Sequence, residues 1–185
     1  MTHPVAEAAA EPGLIGLLGG ECSGKTTLGR ALGKALPARY VPEALREFVD
    51  REGRTPTHAE QRAIMRAQMA AESIGLRSAV AAGEEWVVSD PGALMTAIYS
   101  IAYFDDNSLL TEALVGQSRS RLTFLCDPAF PWQPDGDQRD GPEHRQRVHD
   151  LLVEVIRAHD LDVVEVVGPP HDRIEQALAA IRAFA

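Results

Sequence analysis

Short runs dominated by apolar residues alternate along this chain with longer stretches whose apolar positions recur every three or four residues. The apolar runs are 13–18 (Gly-Leu-Ile-Gly-Leu-Leu), 85–89, 121–126 and 162–167, with a shorter one at 39–41. Runs of this length with no polar face predict strands buried on both sides, as in a parallel sheet covered by helices. The intervening stretches predict helices over 25–36, 57–82, from 90 through 99, up to about 118, over 143–158, and from 171 onward. In the longest of these, Thr57-x-x-Glu60 reads as a capping box, and Ile64, Met65, Met69 and Ile74 fall at helical spacing and are expected in the core. Pro37 ends the first helix, and Pro42-Glu43 ends the second strand.

Strand and helix alternate throughout, with no internal repeat and no linker. The expected fold is therefore a three-layer α/β domain over residues 13–185, with about five parallel strands in the order 2-3-1-4-5. Residues 1–12 are Ala-rich, lack a basic cluster and are expected to be a flexible leader. Two loops interrupt the pattern: 103–107, and the Pro-, Gly- and Asp-rich stretch 127–142, long enough to suggest a functional lid.

Composition narrows the classes. The 185 residues suffice for one full core, and 45% apolar with 24% charged residues is ordinary for a globular domain. A net charge of -9 argues against a nucleic-acid partner, and no apolar run reaches the length of a membrane span. Two cysteines, Cys22 and Cys126, make no disulfide framework and point to a reducing, cytoplasmic setting. A homo-oligomer is compatible with all of this.

The chemistry is announced by Gly19-Gly20-Glu21-Cys22-Ser23-Gly24-Lys25-Thr26, which fits G-x-x-x-x-G-K-[ST] between the first strand and the first helix. In such a loop the backbone N–H groups, helped by the helix dipole, cradle phosphate. Residues 19–27, Thr27 included, are the expected ATP-binding segment, with Lys25 reaching the β and γ phosphates and the Thr26 hydroxyl ligating Mg²⁺. A guanine-reading Asn-Lys-x-Asp element is absent, since the single asparagine, Asn107, stands in another context, and no Leu-Ser-Gly-Gly-Gln segment marks a transporter ATPase. The chain is also short for a ring ATPase with its helical lid. Small-molecule kinases remain, and donor choice between ATP and GTP stays open.

A small-molecule kinase needs a metal carboxylate, an acceptor site and a lid. Asp90, at the end of an apolar strand, suits the Mg²⁺ carboxylate, and as Asp-Pro-Gly it also suits a helix N-cap. Glu43, ending the second strand, can take the acceptor's proton or favour a helix N-terminus; Glu43 and Asp90 are both eligible as base. Arg46 and Glu47 either position substrate or pair with each other. On the lid segment 132–140, Arg139 is placed to neutralise charge on the transferring phosphoryl group, with Arg145 and Arg147 in reserve. Tyr103, Phe104 and Trp132, with Asp105, Asp106 and Asp135 beside them, suit a cationic or neutral nucleoside. Arg62, Arg66 and Arg77 suit instead an acceptor that bears phosphate. A regulatory ATPase module with no small-molecule acceptor is the third alternative. Glu21 inside an anion cradle must turn outward, toward metal or acceptor.

The P-loop Gly-Gly-Glu-Cys-Ser-Gly-Lys-Thr-Thr-Leu, followed by Glu43-Ala44-Leu45-Arg46-Glu47-Phe48, Ser89-Asp90 and Trp132 through Arg139, resembles the ribosylnicotinamide kinase domain of NadR-type proteins. The likeness runs from about Leu14 to the C-terminus. It implies a nucleoside- or nucleotide-kinase-like fold with a lid, ATP and Mg²⁺ as cofactors, and nicotinamide riboside or a related nucleoside as acceptor. Glu43, Arg46, Tyr103, Asp105 and Trp132 are the expected substrate contacts. The nucleotidyltransferase domain and His-x-Gly-His element of larger family members have no counterpart, so the kinase-like domain alone is expected.

Overall fold

The computed structural model describes residues 11–128 and 142–184. The expected leader therefore falls almost entirely outside the described residues. Five parallel strands form one sheet in the order β2-β3-β1-β4-β5, as the alternation of apolar runs predicts. They are β1 (Gly13–Leu18), β2 (Ala38–Val41), β3 (Trp86–Ser89), β4 (Ser120–Cys126) and β5 (Val164–Val166).

β1 shows why its run is unbroken. Ile15 and Leu17 face a layer made by α1 (Lys25–Ala35) and α7 (Pro170–Phe184). Leu14 packs toward α3 (Gln61–Ala82), and Leu18 packs toward α3, α4 (Leu94–Phe104) and α6 (Pro142–Ala158). Alternate side chains thus enter two cores, and both faces of the strand exclude water. The remaining helices are α2 (Ala44–Glu52) and α5 (Leu110–Gln117).

The boundaries depart from the sequence expectation in four places. α2 is a nine-residue helix that the apolar spacing does not predict; only Phe48 on it is buried, so its apolar stripe is too thin to register as a period. α4 runs past Tyr99 to Phe104, until Asp105 adopts a left-handed φ of 53° and ends it, so Tyr103 and Phe104 stand on a helix and not in a loop. β5 keeps only three residues. Ile74, expected in the core, is 56% exposed.

The last correction follows from the angular position of Ile74 on α3. The buried stripe runs Gln61, Ile64, Met65, Gln68, Glu72, Gly75 and Ala79, and Ile74 lies on the opposite side. The capping box is real: Thr57 and Glu60 exchange bonds around the 3-10 turn His58–Glu60 that leads into α3.

Strand order places the site. β1 sits at the centre, the chain departs from it toward β2 on one side and β4 on the other, and the crevice opens at the carboxyl ends of the strands. Two backbone bonds close this end of the sheet: Asp90 N–H to the Val41 carbonyl (3.0 Å) and Gly92 N–H to the Leu17 carbonyl (3.1 Å). The segments that follow β1, β2 and β3 are therefore held side by side.

The stripe on α3 has a measurable consequence. Met65→Ala should cost about 2–5 kcal/mol in urea unfolding, whereas Ile74→Ala should stay within about 0.5 kcal/mol of the wild type.

Candidate functional site

The loop between β1 and α1 turns on glycines with left-handed backbone. Gly19 takes φ 144° and Gly24 takes φ 84°, both in the region that favours glycine. At Gly19 a Cβ would also lie 2.6 Å from Ser23 Oγ and 2.9 Å from the Cys126 carbonyl oxygen. The Gly20 carbonyl is held by two donors, Ser23 Oγ at 2.8 Å and Lys25 Nζ at 2.7 Å. Lys25 thus folds back over the loop with its ammonium where a phosphate would meet it. Thr26 and Thr27 are exposed at the head of α1.

Three carboxylates converge beside this cradle. Asp90, 2% exposed, immediately follows β3. It does not cap α4, whose N-cap is Ala93; it accepts a 2.6 Å hydrogen bond from the Tyr40 hydroxyl. Glu43 is the N-cap residue of α2, and its side chain is 24% exposed. Burial pushes its carboxyl above the usual range; the nearby Lys25 charge opposes this and the Asp90 charge adds to it. Burial also raises the Tyr99 phenol, and the charges of Glu43, Glu21 and Asp90 act on it in the same direction. Glu21 is thus near enough to Tyr99 for its charge to act there along with those of Glu43 and Asp90.

A buried polar relay holds the two strand-end carboxylates in register. Gln68 Oε1 accepts from the Ala44 N–H (2.8 Å), next to Glu43, while Gln68 Nε2 donates to Ser89 Oγ (3.1 Å), next to Asp90. Ser89 in turn donates to Glu72 Oε1 (2.8 Å), whose carboxyl is raised by burial. Gln68 and Glu72 are 3% and 2% exposed, so a side chain on α3 fixes the spacing of two separate loops.

The other expected site residues lie further out. Arg46 is exposed and pairs loosely with Glu43 at 4.0 Å, not with Glu47. Tyr103 stacks on His144 with ring centroids 4.3 Å apart, which brings the start of α6 toward the acceptor side. Asp105 lines an open cleft of about 570 Å³ between α4 and α6, with Glu143, Arg147 and Asp150. Asp106 is used locally, accepting from Ser108 N–H (2.9 Å) and pairing with His58 (2.8 Å). Arg62 and Arg66 both bind Glu112 on α5. Trp132, Asp135 and Arg139 lie outside the described residues. Arg145 reaches the cradle: a Cβ on Gly20 would sit 3.5 Å from its Cγ. Cys126 is buried and its thiol is pushed up to about 11 by that burial, so it stays protonated at neutral pH.

Tyr40, Gln68, Glu72, Tyr99 and Arg173 were not singled out by sequence reasoning. Gln68 and Glu72 do leave a trace, as polar residues four apart in the middle of the buried stripe of α3. Arg173 leaves the same trace, in line with the buried Ala177 and Ile181.

Comparison with known proteins agrees with this architecture. Residues 14–173 match the family model described as AAA domain. No curated protein matches the sequence. Among solved structures, NadR protein in complex with NAD and AMP-PNP superposes with a TM-score of 0.76 at 21% identity, covering 94% of this chain and 49% of that one. NadR protein in complex with NR gives 0.77 at 20% identity, covering 94% and 51%. The chain therefore spans about half the length of the NadR chains. Thymidylate kinase from Ehrlichia chaffeensis gives 0.65 at 15% identity, covering 95% and 100%. The fold is that of the P-loop nucleoside and nucleotide kinases. No helix among the described residues is long and apolar enough to cross a membrane.

The raised carboxyl of Glu43 weakens the native state wherever the group is ionised. That penalty is absent below the ordinary carboxylate range, where Glu43 is protonated folded or unfolded, and grows as pH rises to the folded value. Thermal unfolding should therefore show Glu43→Gln more stable than the wild type at pH 7, with the gap closing at about pH 4.

Proposed function

The chain belongs to the AAA domain family, and on that premise we propose that it transfers the γ-phosphoryl group of ATP to a hydroxyl of nicotinamide riboside or a closely related nucleoside. The observation that carries this reading is the meeting of Lys25 with three carboxylates, Glu21, Glu43 and Asp90, at the carboxyl ends of β1, β2 and β3. A phosphate-bearing acceptor would be repelled there. A neutral ribose or a cationic ring would not. Of Arg62, Arg66 and Arg77, the residues that would favour a phosphorylated acceptor, the first two are engaged by Glu112 and Arg77 is exposed on α3.

The roles divide by environment. Asp90 already holds the Tyr40 hydroxyl on one oxygen, which suits it to orient a cation and not to collect a proton. Glu43, with its carboxyl raised toward neutrality, suits the base. The acceptor oxygen forms its bond to the γ-phosphorus and the bond from that phosphorus to the bridging oxygen breaks. ADP departs with the bridging oxygen, and the acceptor proton passes to the Glu43 carboxylate. Lys25 neutralises the phosphate tail, and Arg145 supplies further positive charge at the cradle; Arg139, outside the described residues, is the candidate for the same role from the segment 132–140. The hydroxyl of Thr26 and the carboxylate of Asp90 are an all-oxygen donor set that fits Mg²⁺, which when bound screens phosphate charge.

Labelled ATP and a panel of nucleosides test the acceptor: nicotinamide riboside should become labelled. Bound ATP with every nucleoside left unlabelled would refute the acceptor assignment. Lys25→Ala should lower kcat by about 10²-fold or more while the protein stays folded, since its side chain serves the loop and ligand and not the core. Glu43→Gln should lower kcat about 10²–10⁴-fold. In the wild type kcat should climb with pH as Glu43 ionises, above the range of an ordinary carboxylate, and the variant should lose that limb.

A further inference from the structure

Behind the phosphate cradle lies a charged side chain with no part in the roles above. Arg173, on the first turn of α7, is 2% exposed. Its Nε donates to the Gly168 carbonyl at 2.6 Å, in the turn that leaves β5. One terminal nitrogen donates to the Ser23 carbonyl at 2.8 Å and to the Asp127 carbonyl at 2.9 Å. A single guanidinium thus joins the P-loop, the end of β4 and the start of α7.

Burying a guanidinium is expensive, and a methionine or leucine at this point of the α7 stripe would pack beside Ala177 and Ile181 without that cost. The bond to Ser23 shows what the charge achieves. A trans peptide carries its C=O and N–H on opposite sides. Drawing the Ser23 oxygen toward α7 therefore aims the Gly24 N–H away from α7, into the hollow that receives phosphate. Gly24, at φ 84°, is the residue whose plane is least constrained by its own side chain. The bond to Asp127 holds the same guanidinium against the end of β4, next to the Cys126 carbonyl that abuts Gly19. The loop is gripped from behind at its Ser23–Gly24 end, and a buried positive charge stands behind it.

We propose that Arg173 is a positioning residue for nucleotide binding: it presets the Ser23–Gly24 peptide plane and so holds the phosphate cradle in its binding shape before ligand arrives. The inference rests on the reading of residues 19–27 as a triphosphate site. It does not depend on the identity of the acceptor.

Calorimetric titration of the full chain with MgATP and with MgGTP, well below the melting temperature, separates this role from that of a simple strut. Arg173→Met should weaken whichever nucleotides the wild type binds by about tenfold or more, by the same factor for each, because the loss falls on the shared triphosphate. Arg173→Lys, which keeps the charge but not the fork of donors, should fall between. A strut alone would lower the melting temperature and leave the affinity of the folded protein intact. Folded Arg173→Met binding within about twofold of wild type overturns the proposal. If Arg173→Met does not fold, Arg173→Lys decides: wild-type affinity overturns the proposal, and a weakened affinity at an unchanged melting temperature upholds it. A wild-type chain that binds neither nucleotide overturns both this inference and the triphosphate reading beneath it, whereas bound nucleotide with no phosphorylated nucleoside touches only the acceptor.

Discussion

A backbone that offers its N–H groups to a ligand must settle its carbonyls elsewhere, and this constraint organises the crevice. The Gly20 carbonyl is taken by Ser23 and Lys25, and the Ser23 carbonyl by Arg173. Each of these bonds spends a side chain to keep a peptide plane turned outward. The alternative, a loop that collapses onto its own carbonyls, would satisfy the same groups and bind no anion. The glycines make the shape accessible; the side-chain donors make it the one that is populated.

The acidic half of the site is held by a different device. Glu43 and Asp90 follow two neighbouring strands, and Gln68 reaches both loops from α3, with Glu72 and Ser89 beneath it. Like charges brought this close repel, and burial adds to the cost, as the raised Glu43 carboxyl records. The sheet core supplies the offsetting stability: Leu14, Ile15, Leu17 and Leu18 of β1 are all buried, and helices cover both faces. A costly acidic cluster on a well-packed sheet is the trade expected of the base role proposed for Glu43.

Much of the fold was legible because its signals are local. Unbroken apolar runs flanked by helical periods identify buried parallel strands, and the glycine-lysine-threonine spacing marks the loop between β1 and α1. Three features were not legible in this way. α2 buries one residue, too little to set a period. Ile74 counts as apolar at helical spacing but misses the buried arc of α3 by part of a turn. The termination of α4 depends on Asp105 taking a left-handed backbone, which no neighbouring glycine announces.

What the sequence determined by itself is the kind of surface each segment presents, together with the phosphate cradle, because nine consecutive residues carry that site's geometry within one turn of chain. It also placed Glu43 and Asp90 at strand ends. Only the tertiary structure decided that these ends are adjacent, that Tyr40 binds Asp90, and that Arg173 stands behind the loop 150 positions earlier in the chain. Such pairings depend on strand order and helix rotation, which are set by the whole core at once and leave no pattern in any single window of the sequence.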